Sequence, residues 1–182
     1  MKHLHKLAVS VTFGVLAFST AAIAELKVGA PAPEFKLPAY LAGQPFTFDL
    51  AAALKKGPVV VYFFPAAHTS GCNVEAHLFS EAIDQFKAQN ATVVGVTAGN
   101  VNDLADFSKE TEHCSGKFPV AADDGAKVAK QYDALLKQKP EWSDRTSYLI
   151  TQSGTIAAAY SALNPDKHVQ EMLAAVKALK KS

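Results

Sequence analysis

Residues 58–64 read PVVVYFF, a continuous apolar run of β-branched and aromatic side chains. A run of that length and composition predicts a central strand covered on both faces. Pro65 ends it. From Cys72 onward the period changes. Val74, Leu78, Ile83 and Phe86 recur at helical spacing, with charged Glu75, Glu81, Asp84 and Lys87 between them. That pattern predicts an amphipathic helix. Residues 92–98 (TVVGVTA) predict a second buried strand. Residues 100–113 begin with Asn and Asp and repeat Val101, Leu104 and Phe107, which predicts a helix running to His113. A short strand and turn follow at 117–124 (KFPVAADD), then a helix at 125–136 with Val128 and Tyr132 on one face. Residues 147–160 read as two strands joined by a glycine turn. The chain closes on a helix from Asn164, with Pro165 at its first turn and lysines at its far end.

Ahead of the apolar run, Phe46 and Phe48 alternate in a short strand, followed by a short helix that stops at Gly57. Residues 26–38, with three prolines, read as an extended opening segment. From residue 58 the order is strand, helix, strand, helix, strand, helix, hairpin, helix. Such alternation predicts an α/β domain with a central mixed sheet flanked by helices.

The first 24 residues follow another logic. MKHLHK is basic, residues 7–24 are apolar, and the stretch closes on Ala22-Ile23-Ala24. That is the pattern of a cleavable signal peptide. Ser10, Thr12, Gly14, Ser19 and Thr20 dilute it below the roughly 20 apolar residues of a membrane span. The expectation is an exported, periplasmic protein with a single domain over residues 25–182 and no membrane attachment after cleavage. The net charge of +1 gives no reason to expect nucleic acid as a partner.

Export changes the meaning of the two cysteines, Cys72 and Cys114. In an oxidising compartment they can be a structural disulfide. The position of Cys72 suggests more. It falls in the first turn of a helix after a central strand, where unpaired N–H groups and the helix dipole favour a thiolate. The small polar loop before it leaves the sulfur within reach of a small substrate, as a nucleophilic cysteine requires. Glu75, one turn on, opposes a thiolate unless its charge is held elsewhere. His68, His77 and His113 invite a metal reading. However, Cys72 and His77 are five apart, which suits neither a helical ligand pair nor a zinc finger, so no metal site is expected.

The spacing Pro65-Ala-Ala-His-Thr69-Ser-Gly-Cys72 matches P-x-x-x-T-x-x-C, and the chain here resembles the peroxiredoxins. The strand before the motif, Glu75 after it, the DRTSYLI segment around Arg145, the opening at KVGAPAPEFKLP and the loop FPVAADD extend the resemblance over nearly all of residues 25–182. The subfamily it is most similar to is the Q type, also called bacterioferritin-comigratory protein. The resemblance implies a thioredoxin-like fold and a thiol-dependent peroxidase needing no cofactor. It implies Cys72 as the peroxidatic cysteine, Thr69 as hydrogen-bond partner of thiolate and peroxide, and Pro65 as a shield of the loop. Arg145 would stabilise negative charge, and Glu75 would hold Arg145. Some relatives carry a resolving cysteine where this chain has His77. Others place it on the following helix, which implies Cys114. Peroxide as substrate, a thioredoxin-like or other dithiol reductant, and a monomer are the implied partners and state. A periplasmic thiol–disulfide oxidoreductase on the same fold is the alternative, but Glu75 stands where C-x-x-C needs its second cysteine. A copper-binding module would want two cysteines close in sequence, which the chain lacks.

Overall fold

The computed structural model describes residues 25–179, so the expected signal segment lies outside the described residues. Seven strands form one sheet in the order β2-β1-β5-β4-β3-β6-β7. They are β1 (Lys36–Leu41), β2 (Gln44–Asp49), β3 (Val59–Phe63), β4 (Thr92–Thr97), β5 (Val120–Ala122), β6 (Thr146–Ile150) and β7 (Ile156–Ser161). β3, β4 and β5 run parallel, while β6 joins β3, and β1 joins β5, antiparallel. The five α-helices among the described residues are α1 (Leu50–Leu54), α2 (Ser70–Ala88), α3 (Leu104–Lys109), α4 (Lys127–Gln131) and α5 (His168–Leu179). None is long and apolar enough to cross a membrane.

The period-2 geometry of a strand divides the apolar run between two cores. Val60, Tyr62 and Phe64 face a layer built by α2, α3 and α5, where Phe79, Ile83, Phe86, Leu104, Phe107 and Met172 are buried. Val59, Val61 and Phe63 face the other layer, with Leu50, Leu54, Val128 and Tyr132. Every residue of β3 is therefore buried, as a strand covered on both faces requires. The expected mixed sheet flanked by helices is the observed architecture.

Three local expectations give way. The extended opening over residues 26–38 runs into β1, which pairs with β2 over six residues and with β5 and so sits inside the sheet. Pro38 obscures it. The helix expected to reach His113 stops at Lys109, because Glu110 turns to extended backbone (ψ 131°). The chain then winds through turns in which Ser115 and Gly116 both take positive φ, and the Gly116 N–H donates back to the Ser108 carbonyl. Cys114 thus lies on a turn, not on a helix. The third departure is rotational. The Val74 side of α2 is exposed, while Glu75 is fully buried with Ala76 and Phe79.

Candidate active site

β3 delivers the chain to the loop at residues 64–69, and the loop is tied down from below. The Phe64 N–H donates to the Val96 carbonyl, the Thr97 hydroxyl to the Pro65 carbonyl, and the Asn100 amide to the Ala67 carbonyl. Ala66 bridges to Gly99, where any side chain would meet the Pro65 carbonyl oxygen at 2.3 Å. His68 takes φ +59°, a left-handed conformation that turns the loop into α2. The first helical bond runs from the Asn73 N–H to the Thr69 carbonyl at 2.9 Å. The amides of Ser70, Gly71 and Cys72 therefore precede the ladder, and Cys72 stands among the unpaired donors of a helix start.

The sulfur of Cys72 points inward. It is 1% exposed, so the open access expected of the polar loop is not present. The reason is the rotation of α2, which puts Cys72 and Glu75 on the side facing the sheet and Arg145. Arg145, just before β6, is 4% exposed. Its Nη2 lies 3.4 Å from Cys72 Sγ, its Nη1 pairs with Glu75 Oε2, and its Nε donates to the Leu163 carbonyl at 2.8 Å. All three donor nitrogens are thereby engaged, and the guanidinium plane is set. Gly71 leaves room for it, since a Cβ there would come within 3.0 Å of Nη2. Burial disfavours the arginine charge, but Glu75 and Cys72 outweigh it and hold the Arg145 pKa above its ordinary value.

Glu75 has a second neighbour that sequence reading passed over. His168, the first residue of α5, is fully buried, and its Nδ1 lies 3.5 Å from Glu75 Oε1. Its Nε2 lies 2.8 Å from the Ala162 carbonyl. A carbonyl only accepts, so the neutral ring is assigned its proton on Nε2, and Nδ1 accepts from the Ser147 hydroxyl at 2.8 Å. Burial lowers the His168 pKa to about 4 and pushes the Glu75 carboxyl up to about 8, the latter against the pull of Arg145. Nothing marks a lone histidine at a helix start as a partner of a residue 93 positions away, so this contact has no sequence signal.

The Thr69 hydroxyl donates to the Ala66 carbonyl at 3.0 Å, which leaves its oxygen to accept. Pro65 is half-buried at the head of the same loop. Cys114 is a second free, buried thiol, and burial pushes its pKa up. Both sulfurs lie in the core layer that also holds Tyr62, whose hydroxyl has no hydrogen-bond partner among the described residues. The structure thus brings Cys72, Thr69, Glu75 and Arg145 to one helix start, with Pro65 beside them, and leaves Cys114 unbonded in its turn. His77 sits apart, exposed beside Glu81 at 3.5 Å.

A buried guanidinium against a cysteine in a first helical turn can hold a sulfur anion and the charge that develops when that sulfur attacks. Residues 28–159 match the AhpC/TSA family. The chain is 31% identical over 127 residues to chloroplastic peroxiredoxin Q of Sedum lineare, covering 69% of this chain and 67% of that one. It is 30% identical over 154 residues to a putative peroxiredoxin bcp of Helicobacter pylori strain J99, covering 82% and 97%. Other chloroplastic relatives are spanned over 54–58% of their length. The crystal structure of peroxidoxin BcpB from Mycobacterium tuberculosis superposes with a TM-score of 0.74 at 28% identity, covering 85% of this chain and 98% of that one. With a family match over most of its length and relatives at about 30% identity, the chain belongs to the AhpC/TSA family of peroxiredoxins.

Proposed function

We propose that this peroxiredoxin reduces hydrogen peroxide and organic hydroperoxides with Cys72 as the attacking thiolate. The observation that carries the reading is the 3.4 Å contact between Arg145 Nη2 and Cys72 Sγ at the first turn of α2. The thiolate attacks one peroxide oxygen, the O–O bond breaks, and the departing alkoxide or hydroxide takes a proton. Cys72 is left as a sulfenic acid. Arg145 neutralises charge on sulfur and on the leaving oxygen, and Glu75 keeps the guanidinium aimed. Thr69, whose hydroxyl oxygen is free to accept, takes the hydrogen bond of the incoming hydroperoxide. Pro65 covers the loop. Because the sulfur is buried, peroxide reaches it only as the loop opens.

The Cys114 thiol then displaces the hydroxyl of the sulfenic acid, giving a Cys72–Cys114 disulfide and one water. An external dithiol of thioredoxin-like type returns both thiols and becomes a disulfide itself. Residues 1–24 act as a cleavable signal peptide, and the domain over 25–182 works in the periplasm as a monomer. The thiol–disulfide oxidoreductase reading is not favoured, since Glu75 fills the place of a second active-site cysteine and is occupied with Arg145. The test is mass spectrometry after one equivalent of peroxide. The native protein should lose two mass units through a Cys72–Cys114 bridge. Cys72→Ser should consume no peroxide, and Cys114→Ser should turn over once and stall without added thiol. Normal consumption by Cys72→Ser would sink the reading.

A further inference from the structure

His68, Glu110 and His113 converge although sequence spacing separates them. Glu110 Oε2 lies 3.7 Å from His68 Nδ1 and 3.5 Å from His113 Nε2, and one ligand atom from each residue lies within 4.8 Å of the other two. The two distances to Glu110 are too long for hydrogen bonds. They are close to the ligand-to-ligand edge of about 3.3 Å that arms of 2.0–2.1 Å make around a tetrahedral zinc ion. His113 is 7% exposed and its Nδ1 has no hydrogen-bond partner among the described residues, so the ring is not committed to another role. His68 and Glu110 keep a path to solvent. Phe107 packs edge-on against both imidazoles, at centroid distances of 5.4 and 4.9 Å, and fixes their planes.

We propose that His68, Glu110 and His113 form a three-ligand site for Zn²⁺ that clamps the two cysteine-bearing segments together. The donor set is two imidazoles and one carboxylate, with water as the fourth ligand. Its placement gives it a consequence. His68 immediately precedes Thr69 on the Cys72 loop, while Glu110 and His113 belong to the turn that carries Cys114. An ion held by both segments binds only when they are docked, so it stabilises the docked form by an amount that grows with the logarithm of free zinc above its Kd. Disulfide formation needs two buried, unbonded thiols to reach bonding geometry. Zinc therefore slows that step. The binding claim stands on the cluster alone. The slowing rests on the reading of Cys114 as the resolving thiol.

Binding is measured by titrating ZnCl₂, by calorimetry, into the full chain carrying Cys72→Ser and Cys114→Ser, so that thiols do not compete. One Zn²⁺ should bind there and raise the unfolding midpoint. His68→Gln and Glu110→Gln should each weaken that binding by about tenfold or more. Equal affinity in those variants overturns the site and assigns the ion elsewhere, for instance to the histidines near the amino terminus. In the cysteine-containing protein oxidised by one equivalent of peroxide, quenched-flow should show zinc slowing the step from sulfenic acid to disulfide, with Glu110→Gln insensitive. A bound zinc that leaves disulfide formation unchanged overturns the clamp. If no Cys72–Cys114 bridge forms even without zinc, the recycling reading fails instead, and the calorimetric result still decides the site.

Discussion

Arg145 holds three partners with one rigid group, and no other side chain can do that. A lysine keeps the charge but offers a single point donor, which cannot span Cys72, Glu75 and the Leu163 carbonyl together. Arg145→Lys should slow oxidation of Cys72 by about a hundredfold, read as the second-order rate of sulfenic acid formation, while the protein stays folded. A rate within a factor of two of native would remove Arg145 from the chemistry. The buried Glu75–His168 pair makes stability depend on pH in two opposing ways. His168 titrates at about 4 in the fold, below its ordinary 6.5, so its contribution is present above 6.5 and lost as pH falls toward 4. Glu75 titrates at about 8, above its ordinary 4.5, so its contribution is present at low pH and lost as pH rises toward 8. Between pH 4.5 and 6.5 the slopes oppose. His168→Gln should uncover the Glu75 slope, so that urea denaturation finds the variant losing stability from pH 4.5 to 6.5. A variant profile parallel to native would contradict this assignment.

At the scale of elements, the helix start of α2 is positioned by strands more than by its own sequence. Thr69 occupies the N-cap position but spends its hydroxyl on Ala66, not on capping the helix. The loop is held by β4 and the residues after it. Gly99 is the tightest point of that support, because the Pro65 carbonyl and the Ala66 side chain leave no space for a Cβ. Gly99→Ala should push the loop outward and slow Cys72 oxidation by about a hundredfold, as a displacement near 1 Å does in other sites. Stopped-flow peroxide kinetics check it, and an unchanged rate would show that the loop does not aim the sulfur. The same scale shows where sequence patterns were readable. The strands β3 and β4 and the helix α5 were legible because their apolar periods match their burial. β1 was not, because Pro38 argues against a strand until its neighbours are known. The end of α3 is not legible in sequence, because Glu110 to His113 are acceptable helix residues and only the turn at Ser115 and Gly116 excludes them.

For the whole molecule, the sheet is the fixed frame and the two cysteine segments lie at element ends beside it. β3 is paired on both sides and buried on both faces. The turn of Cys114 is closed by short-range bonds, among them His113 and Ser115 N–H to the Glu110 carbonyl. Forming the disulfide should therefore unwind the ends and spare the frame. Hydrogen exchange after oxidation should show protection falling at residues 70–74 and 110–117, with β3, β4 and β6 unchanged. Loss of protection across β3 would mean that the core itself rearranges.

By itself the sequence determined the layered α/β architecture, the place of Cys72 at a helix start, and the spacing that sets Pro65, Thr69 and Cys72 in one loop-to-helix segment. These are properties of period, spacing and residue type, which act locally along the chain. Only the tertiary structure decided that Glu75 faces inward onto Arg145, that His168 backs it, that the sulfur is buried, and that His68 meets His113 across Glu110. Each of those depends on how far a helix is rotated or where a turn reverses. Such choices are made by the packing of segments distant in sequence, whose free energy no local pattern records.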